Sequence, residues 1–168
     1  MILDATAGNR AIWFEKNHEN AIFIDVRKDM KPDILADCRY LPFKDKCFEM
    51  VVFDPPHANL SPKSQMAKTY GSWSTWYIRD MVRRGGLEFD RVLDENGKVL
   101  FKWNSHDISL REILKTLSLQ FKPLFGHKVA SKTKHSSSTY WCCLKRRKKP
   151  LITLQNFVPI TIGGKESQ

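Results

Sequence analysis

No window of about 18 consecutive residues in this chain is apolar and free of charge, which excludes a membrane-spanning helix. Cysteine is sparse: four in 168 residues, at Cys38, Cys47, Cys142 and Cys143, with no CxxC spacing and one adjacent pair. That argues against a disulfide framework or a zinc site and for reduced, structural thiols. Glycine is missing where a dinucleotide site needs it. The stretch Asp4-Ala5-Thr6-Ala7-Gly8-Asn9 holds a single glycine, whereas a pyrophosphate-binding turn uses a glycine triplet to reach a helix end. No Walker-type lysine and serine follow it, so neither a nicotinamide nor a nucleoside triphosphate is favoured. Acids are in the minority, 18 against 28 Lys and Arg, for a formal charge of +10. That surplus suits a polyanion such as nucleic acid, although a merely solvated basic surface would look the same. The opening Met-Ile-Leu-Asp-Ala-Thr-Ala-Gly has an acid where a secretory leader has a basic flank and a long apolar run, so a cytoplasmic protein is expected.

What is present is ordinary for a globular chain: 42% hydrophobic and 27% charged residues, enough for one domain. Short apolar runs alternate with helical patterns. Strands are expected over residues 1–4, 21–25, 33–37, 50–54 and 98–103, with a final pair at 121–130 and 139–145. Helices are expected over 9–17, 77–93 and 109–119, the last from apolar residues at 110, 113, 114 and 117. Asp94-Glu95-Asn96-Gly97 reads as a turn. The alternation predicts an α/β fold with a mostly parallel, doubly wound sheet closed by a hairpin. Residues 1–147 form the domain, and 148–168 a basic and polar tail.

Ligands in such sheets sit at the carboxyl ends of the strands, where the strand order reverses. Asp4, Asp25, Asp37 and Asp54 close four successive strands. Any one alone would be an ordinary turn or cap residue. Together, beside a glycine turn, they suit a ligand rich in hydroxyls and amines, such as a nucleoside.

The order Leu3-Asp4-Ala5-Thr6-Ala7-Gly8, Asp25, Ala36-Asp37-Cys38-Arg39-Tyr40-Leu41-Pro42-Phe43 and Asp54-Pro55-Pro56-His57 resembles that of class I S-adenosylmethionine-dependent methyltransferases. The last tetrapeptide looks like the (D/N/S)PP(Y/F/W) motif of enzymes that methylate amino groups of bases or of glutamine, with His57 in the aromatic position. Including Phe101-Lys102-Trp103-Asn104 and Pro123-Leu124-Phe125-Gly126, the run is similar to small stand-alone methyltransferases of phages and prophages. The resemblance implies a Rossmann-like seven-stranded sheet in the order 3-2-1-4-5-7-6, last strand antiparallel. It implies S-adenosylmethionine as cofactor and no metal. Asp4, Ala5 and Gly8 would face the methionine end, Asp25 the ribose hydroxyls, Asp37 and Cys38 the adenine, and Asp54 both cofactor and substrate.

The implied reaction is methylation of an exocyclic amine, adenine N6 before cytosine N4 and DNA before RNA. The amine's lone pair is conjugated with the ring. Accepting its N–H bonds on the Asp54 carboxylate and the Pro55 carbonyl would favour a pyramidal nitrogen. Pro55 and Pro56, with fixed φ, hold those acceptors rigidly. His57 would stack on an extruded base. Strand contacts are expected from the basic and aromatic 58–76 loop (Lys63, Lys68, Tyr70, Trp73, Trp76) and from the 128–138 hairpin (Lys128, Lys132, Lys134, His135). With no separate recognition domain, low sequence specificity, a homodimer or a partner subunit follows. RNA, a protein glutamine, or a catalytically inactive nucleic-acid-binding subunit are the alternatives.

Overall fold

A computed structural model describes residues 1–61, 63, 65, 67, 71–129 and 137–147. Seven strands form one sheet: β1 (Ile2–Asp4), β2 (Ala21–Asp25), β3 (Ile34–Leu35), β4 (Phe48–Phe53), β5 (Leu93–Asn104), β6 (Phe121–Val129) and β7 (Thr139–Arg146). Their order is β3-β2-β1-β4-β5-β7-β6, as expected. β1 pairs in parallel with both β2 and β4, and β4 with β5. β7 runs antiparallel between β5 and β6. The reversal lies between β1 and β4, which brings the turn after Asp4 beside the exit of β4.

Two of the helices among the described residues cover one face. Helix α1 (Thr75–Val92) starts where the Ser74 hydroxyl accepts the Tyr77 N–H at 3.2 Å, and buries Ile78, Met81, Val82, Phe89 and Val92 at helical spacing. Helix α2 (Leu110–Leu117) is capped in the same way by Ser109 and buries Ile113 and Leu117. Between helices and sheet lie Phe53, Phe101 and Trp103, all fully buried, with Phe53 edge-on to Phe89 at 4.8 Å. The Trp103 indole N–H satisfies the Ile108 carbonyl at 2.9 Å.

Two elements differ from expectation. Residues 9–17 form turns and bends, not a helix. Gly8 and Arg10 both take positive φ, at 50° and 57°, which a helix does not allow. The Arg10 guanidinium then ties the segment together, donating to the Lys16 carbonyl, Asn17 Oδ1 and Asp33 Oδ1. The turn expected at residues 94–97 lies inside β5 instead. Its signal survives as an irregularity, because pairing jumps from Phe48 with Leu93 to Met50 with Lys98. No helix of the described residues is long and apolar enough to cross a membrane. The tail from residue 148 lies outside the described residues.

Candidate active site

The turn after β1 is stitched to both neighbouring strands. Ala5 N–H donates to the Val52 carbonyl and Ala7 N–H to that of Ile24, each at 2.9 Å, and the Asp54 N–H donates to the Thr6 hydroxyl at 2.9 Å. Asp4 points inward and is 1% exposed. It accepts the Thr6 N–H at 3.2 Å and the Trp13 indole N–H at 2.6 Å. Burial pushes its carboxyl up to about 6, with the charges of Asp54 and Asp25 adding to the effect and the bonds from Trp13 and Thr6 opposing it.

At the end of β2 the Asp25 carboxylate receives one backbone N–H on each oxygen, from Gly8 and from Arg27, both at 2.8 Å. The remaining lone pairs can accept a pair of vicinal hydroxyls. Gly8 has open space where a side chain would stand, with the nearest atom 4.0 Å from an ideal Cβ. Beyond β3, Asp37 is gripped by Arg39, whose Nη2 donates to Oδ2 at 2.7 Å and whose Nε reaches both oxygens. Arg39 also donates to Asp80 and the Tyr77 hydroxyl and lies over the Tyr77 ring at 4.5 Å. Cys38 is 3% exposed, and burial first, then the Asp37 charge, pushes its thiol well above the usual range. Its thiol stays protonated and packs as an apolar group; of the other free cysteines Cys142 is buried, Cys143 half-buried and Cys47 exposed.

Asp54, Pro55, Pro56 and His57 leave β4 next to Asp4. The Asp54 Oδ2 accepts the Lys102 ammonium at 2.6 Å, and that ammonium sits 5.6 Å from the Trp141 ring. His57 Nδ1 lies 3.3 Å from the Pro55 carbonyl. A carbonyl only accepts, so this contact is a hydrogen bond when Nδ1 carries the proton, leaving Nε2 as an acceptor. Burial pulls the imidazole below the usual histidine value, with Lys102 and His106 adding to it and Asp54 and the Pro55 carbonyl opposing.

All ten residues singled out from the sequence, Asp4, Ala5, Gly8, Asp25, Asp37, Cys38 and Asp54 through His57, line one cavity of about 550 Å³. That is the size range of small-molecule sites. Trp73, expected from the sequence as a strand contact, also lines it, as do Thr6, Arg27 and Lys102, to which the sequence reading gives no role. Thr6 and Arg27 flank assigned acids, a signal that was available. Lys102 needed the pairing of Phe53 with Phe101, which sets Asp54 and Lys102 side by side. Of the 58–76 loop, Trp73 stacks on Tyr77 at 4.8 Å and forms wall, while Trp76 is 72% exposed and Lys63 is exposed. Lys128 lies over the Tyr140 ring at 5.9 Å. Lys68, Tyr70, Lys132, Lys134 and His135 lie outside the described residues. Among the described residues no group of three or more His, Cys, Asp or Glu is placed to hold a metal ion.

No family model and no curated protein matches the sequence. Solved structures do match its shape. The chain is similar to a TehB-like SAM-dependent methyltransferase from Corynebacterium glutamicum, with a TM-score of 0.58 at 12% identity over 87% of this chain and 79% of that one. The fold is the Rossmann-like methyltransferase fold. It is also similar to the N-methyltransferase NodS of Bradyrhizobium japonicum in complex with S-adenosyl-L-homocysteine (TM-score 0.54, 10% identity, 86% and 76% covered). A third similar structure is the 1,6-didemethyltoxoflavin-N1-methyltransferase of Burkholderia thailandensis with bound 1,6-didemethyltoxoflavin and S-adenosylhomocysteine (TM-score 0.54, 12% identity, 86% and 70% covered).

Proposed function

We propose that this chain is an S-adenosylmethionine-dependent N-methyltransferase acting on an exocyclic amino group of a nucleic-acid base, adenine N6 before cytosine N4 and DNA before RNA. The observation that carries the reading is the convergence of the Asp54 carboxylate and the Pro55 and Pro56 backbone on the cavity that Asp4, Gly8, Asp25 and Asp37 also line. The donor set fits the cofactor's parts. Asp4 is a buried carboxylate suited to a cationic amino-acid end, and Asp25 offers paired acceptors to a ribose. A 3%-exposed Cys38 beside the Asp37–Arg39 pair gives a flat ring an apolar edge and a polar one. The bound cofactor supplies a methyl group on a cationic sulfur, which leaves as a neutral thioether.

This chain's residues supply position. With Lys102 on Asp54 Oδ2, Oδ1 and the Pro55 carbonyl accept the amine's two N–H bonds and direct its lone pair. That nitrogen would take the methyl as the S–C bond of the bound cofactor broke, and the Asp54 carboxylate would take the proton the nitrogen loses and pass it to water. Neutral His57 keeps Nε2 for a contact with the base while its Nδ1–H is held by Pro55. The net charge of +10 supports a polyanion over a small metabolite. The Lys102 ammonium also favours a second reading, since it takes an acceptor oxygen that the amine would use: a catalytically silent subunit that binds nucleic acid. Radiolabelled methyl transfer onto DNA, RNA and protein pools, followed by nucleoside mass spectrometry, tests the choice. Label in nucleic acid that is abolished by Asp54→Ala, with S-adenosylhomocysteine still bound, is the expected result. Label only in protein overturns the substrate class, and label surviving Asp54→Ala overturns the mechanism.

A further inference from the structure

Both helices pack on one face of the sheet. On β5, Val99, Phe101 and Trp103 point into the core with Ile78, Val82, Phe89, Ile113 and Leu117. The alternate residues Lys98, Leu100, Lys102 and Asn104 point the other way and are half-buried. Among the described residues no helix covers that second face over β5, β7 and β6, and all of β6 after Phe121 is exposed.

The register arranges this face. Lys98 stands opposite Lys145, and Lys145 opposite Lys122, so three ammoniums form one row across three adjacent strands. Like charges directly opposed on a sheet are destabilising. The row is not neutralised: among the described residues none of the three makes an ion pair, and the acid at that end, Glu95, pairs with Lys46 at 3.1 Å. Further along the same face Phe125 stands opposite Cys143, and His127 opposite Trp141, which is opposite Lys102. Phe125 is 71% exposed. The last steps, Lys102 and Thr139, already line the cavity. A charged row, then flat side chains, then the site, lie on one continuous surface.

We propose that the uncovered face of β5, β7 and β6 is a binding platform for single-stranded nucleic acid, which it guides into the cavity. Lys98, Lys145 and Lys122 meet phosphates, and Phe125, His127 and Trp141 meet unstacked bases. A repelling row of lysines makes sense against a polyanion, and exposed flat side chains against bases that are not already paired. A duplex keeps its base faces stacked and would leave Phe125 without a partner. The inference rests on the nucleic-acid reading above.

The test is fluorescence anisotropy of 20-nucleotide labelled DNA and RNA strands with the full chain across a sodium chloride series. For Lys98→Gln/Lys122→Gln/Lys145→Gln, the slope of log affinity against log salt should shrink by about 2. Phe125→Ala should weaken binding about fivefold or more and leave the slope unchanged. The lysine-row variant should melt no lower than the parent, since removing the row relieves repulsion, and both variants should bind S-adenosylhomocysteine as the parent does. If the parent methylates nucleic acid but the row variant binds strands with unchanged affinity and slope, the platform is wrong and the substrate class stands. Binding to phosphatidylserine vesicles without binding to strands overturns the platform. A parent that binds no strand and labels only protein overturns both.

Discussion

Replacing Asp4 by asparagine should stabilise the protein at neutral pH and lose that advantage in acid. Asp4 is 1% exposed, and burial, with the nearby Asp54 and Asp25 charges, lifts its carboxyl from 3.8 to about 6. The folded value lies above the unfolded one, so the folded chain holds this proton more tightly between those limits. Stability therefore falls as pH rises through the window. Ionised Asp4 costs about 3 kcal/mol above about pH 7, and about 1 kcal/mol near pH 4.5. Asparagine carries no charge, but only its carbonyl accepts. One of the bonds from Thr6 N–H and Trp13 Nε1–H is therefore lost, at about 1 kcal/mol. The net gain is about 2 kcal/mol near pH 7.5, roughly 4–8 °C in Tm for a chain of this size, and close to nothing near pH 4.5. Thermal melts of both proteins across that range decide it. The lost hydrogen bond shifts all points equally, so a Tm difference that is flat with pH refutes the reasoning whatever its size. The same variant should bind S-adenosylhomocysteine roughly tenfold or more weakly, since a charged partner is gone.

Lys102→Met should lower the methyl-transfer rate roughly tenfold and change the cofactor's Kd much less, because it removes the bond that orients the Asp54 carboxylate while Asp4 and Asp25 keep their partners; calorimetry and rate assays separate the two. Burial holds His57 below the usual histidine range, so the imidazole is neutral at pH 7. The acid limb of the rate should accordingly fall at lower pH than a free imidazole gives, whereas a midpoint at or above the free value of about 6.5 would count against that assignment. Gly126 leaves an ideal Cβ only 2.7 Å from the Trp141 carbonyl oxygen. Gly126→Ala should therefore cost about 1–3 kcal/mol, read by denaturant midpoint.

Much of the fold is legible in the sequence because buried parallel strands are short apolar runs. Ala21–Asp25 appears as expected from such a run, and the acids that close β1 and β2 lie where the notch in strand order gathers them. Residues 9–17 misled because Ala11, Ile12 and Trp13 look like a helix's apolar side. In the fold Trp13 is taken by a buried carboxylate and packs edge-on to Phe23 at 4.9 Å, a tertiary pull that local pattern does not carry. Asp94–Gly97 looked like a turn because Asp94 does bond the Asn96 N–H at 2.8 Å, yet the chain stays extended around it. Lys102 and the lysine row were invisible for one shared reason: both depend on which strands are neighbours and in what register.

The stretch between β1 and β2 is held by side-chain anchors, Arg10 and Trp13, rather than by a ladder of backbone bonds. Such a stretch can open alone, at a cost well below that of unfolding the sheet. Phe14 at its tip is fully exposed, a natural cleavage point for chymotrypsin once the backbone loosens. A ligand seated between Asp4, Gly8 and Asp25 adds about 2.7 kcal/mol to the opening cost when present at about 100 times its Kd. Cleavage after Phe14 would then slow by about a hundredfold. The wall of the cavity thus doubles as a reporter of occupancy, readable on a gel with no knowledge of the substrate.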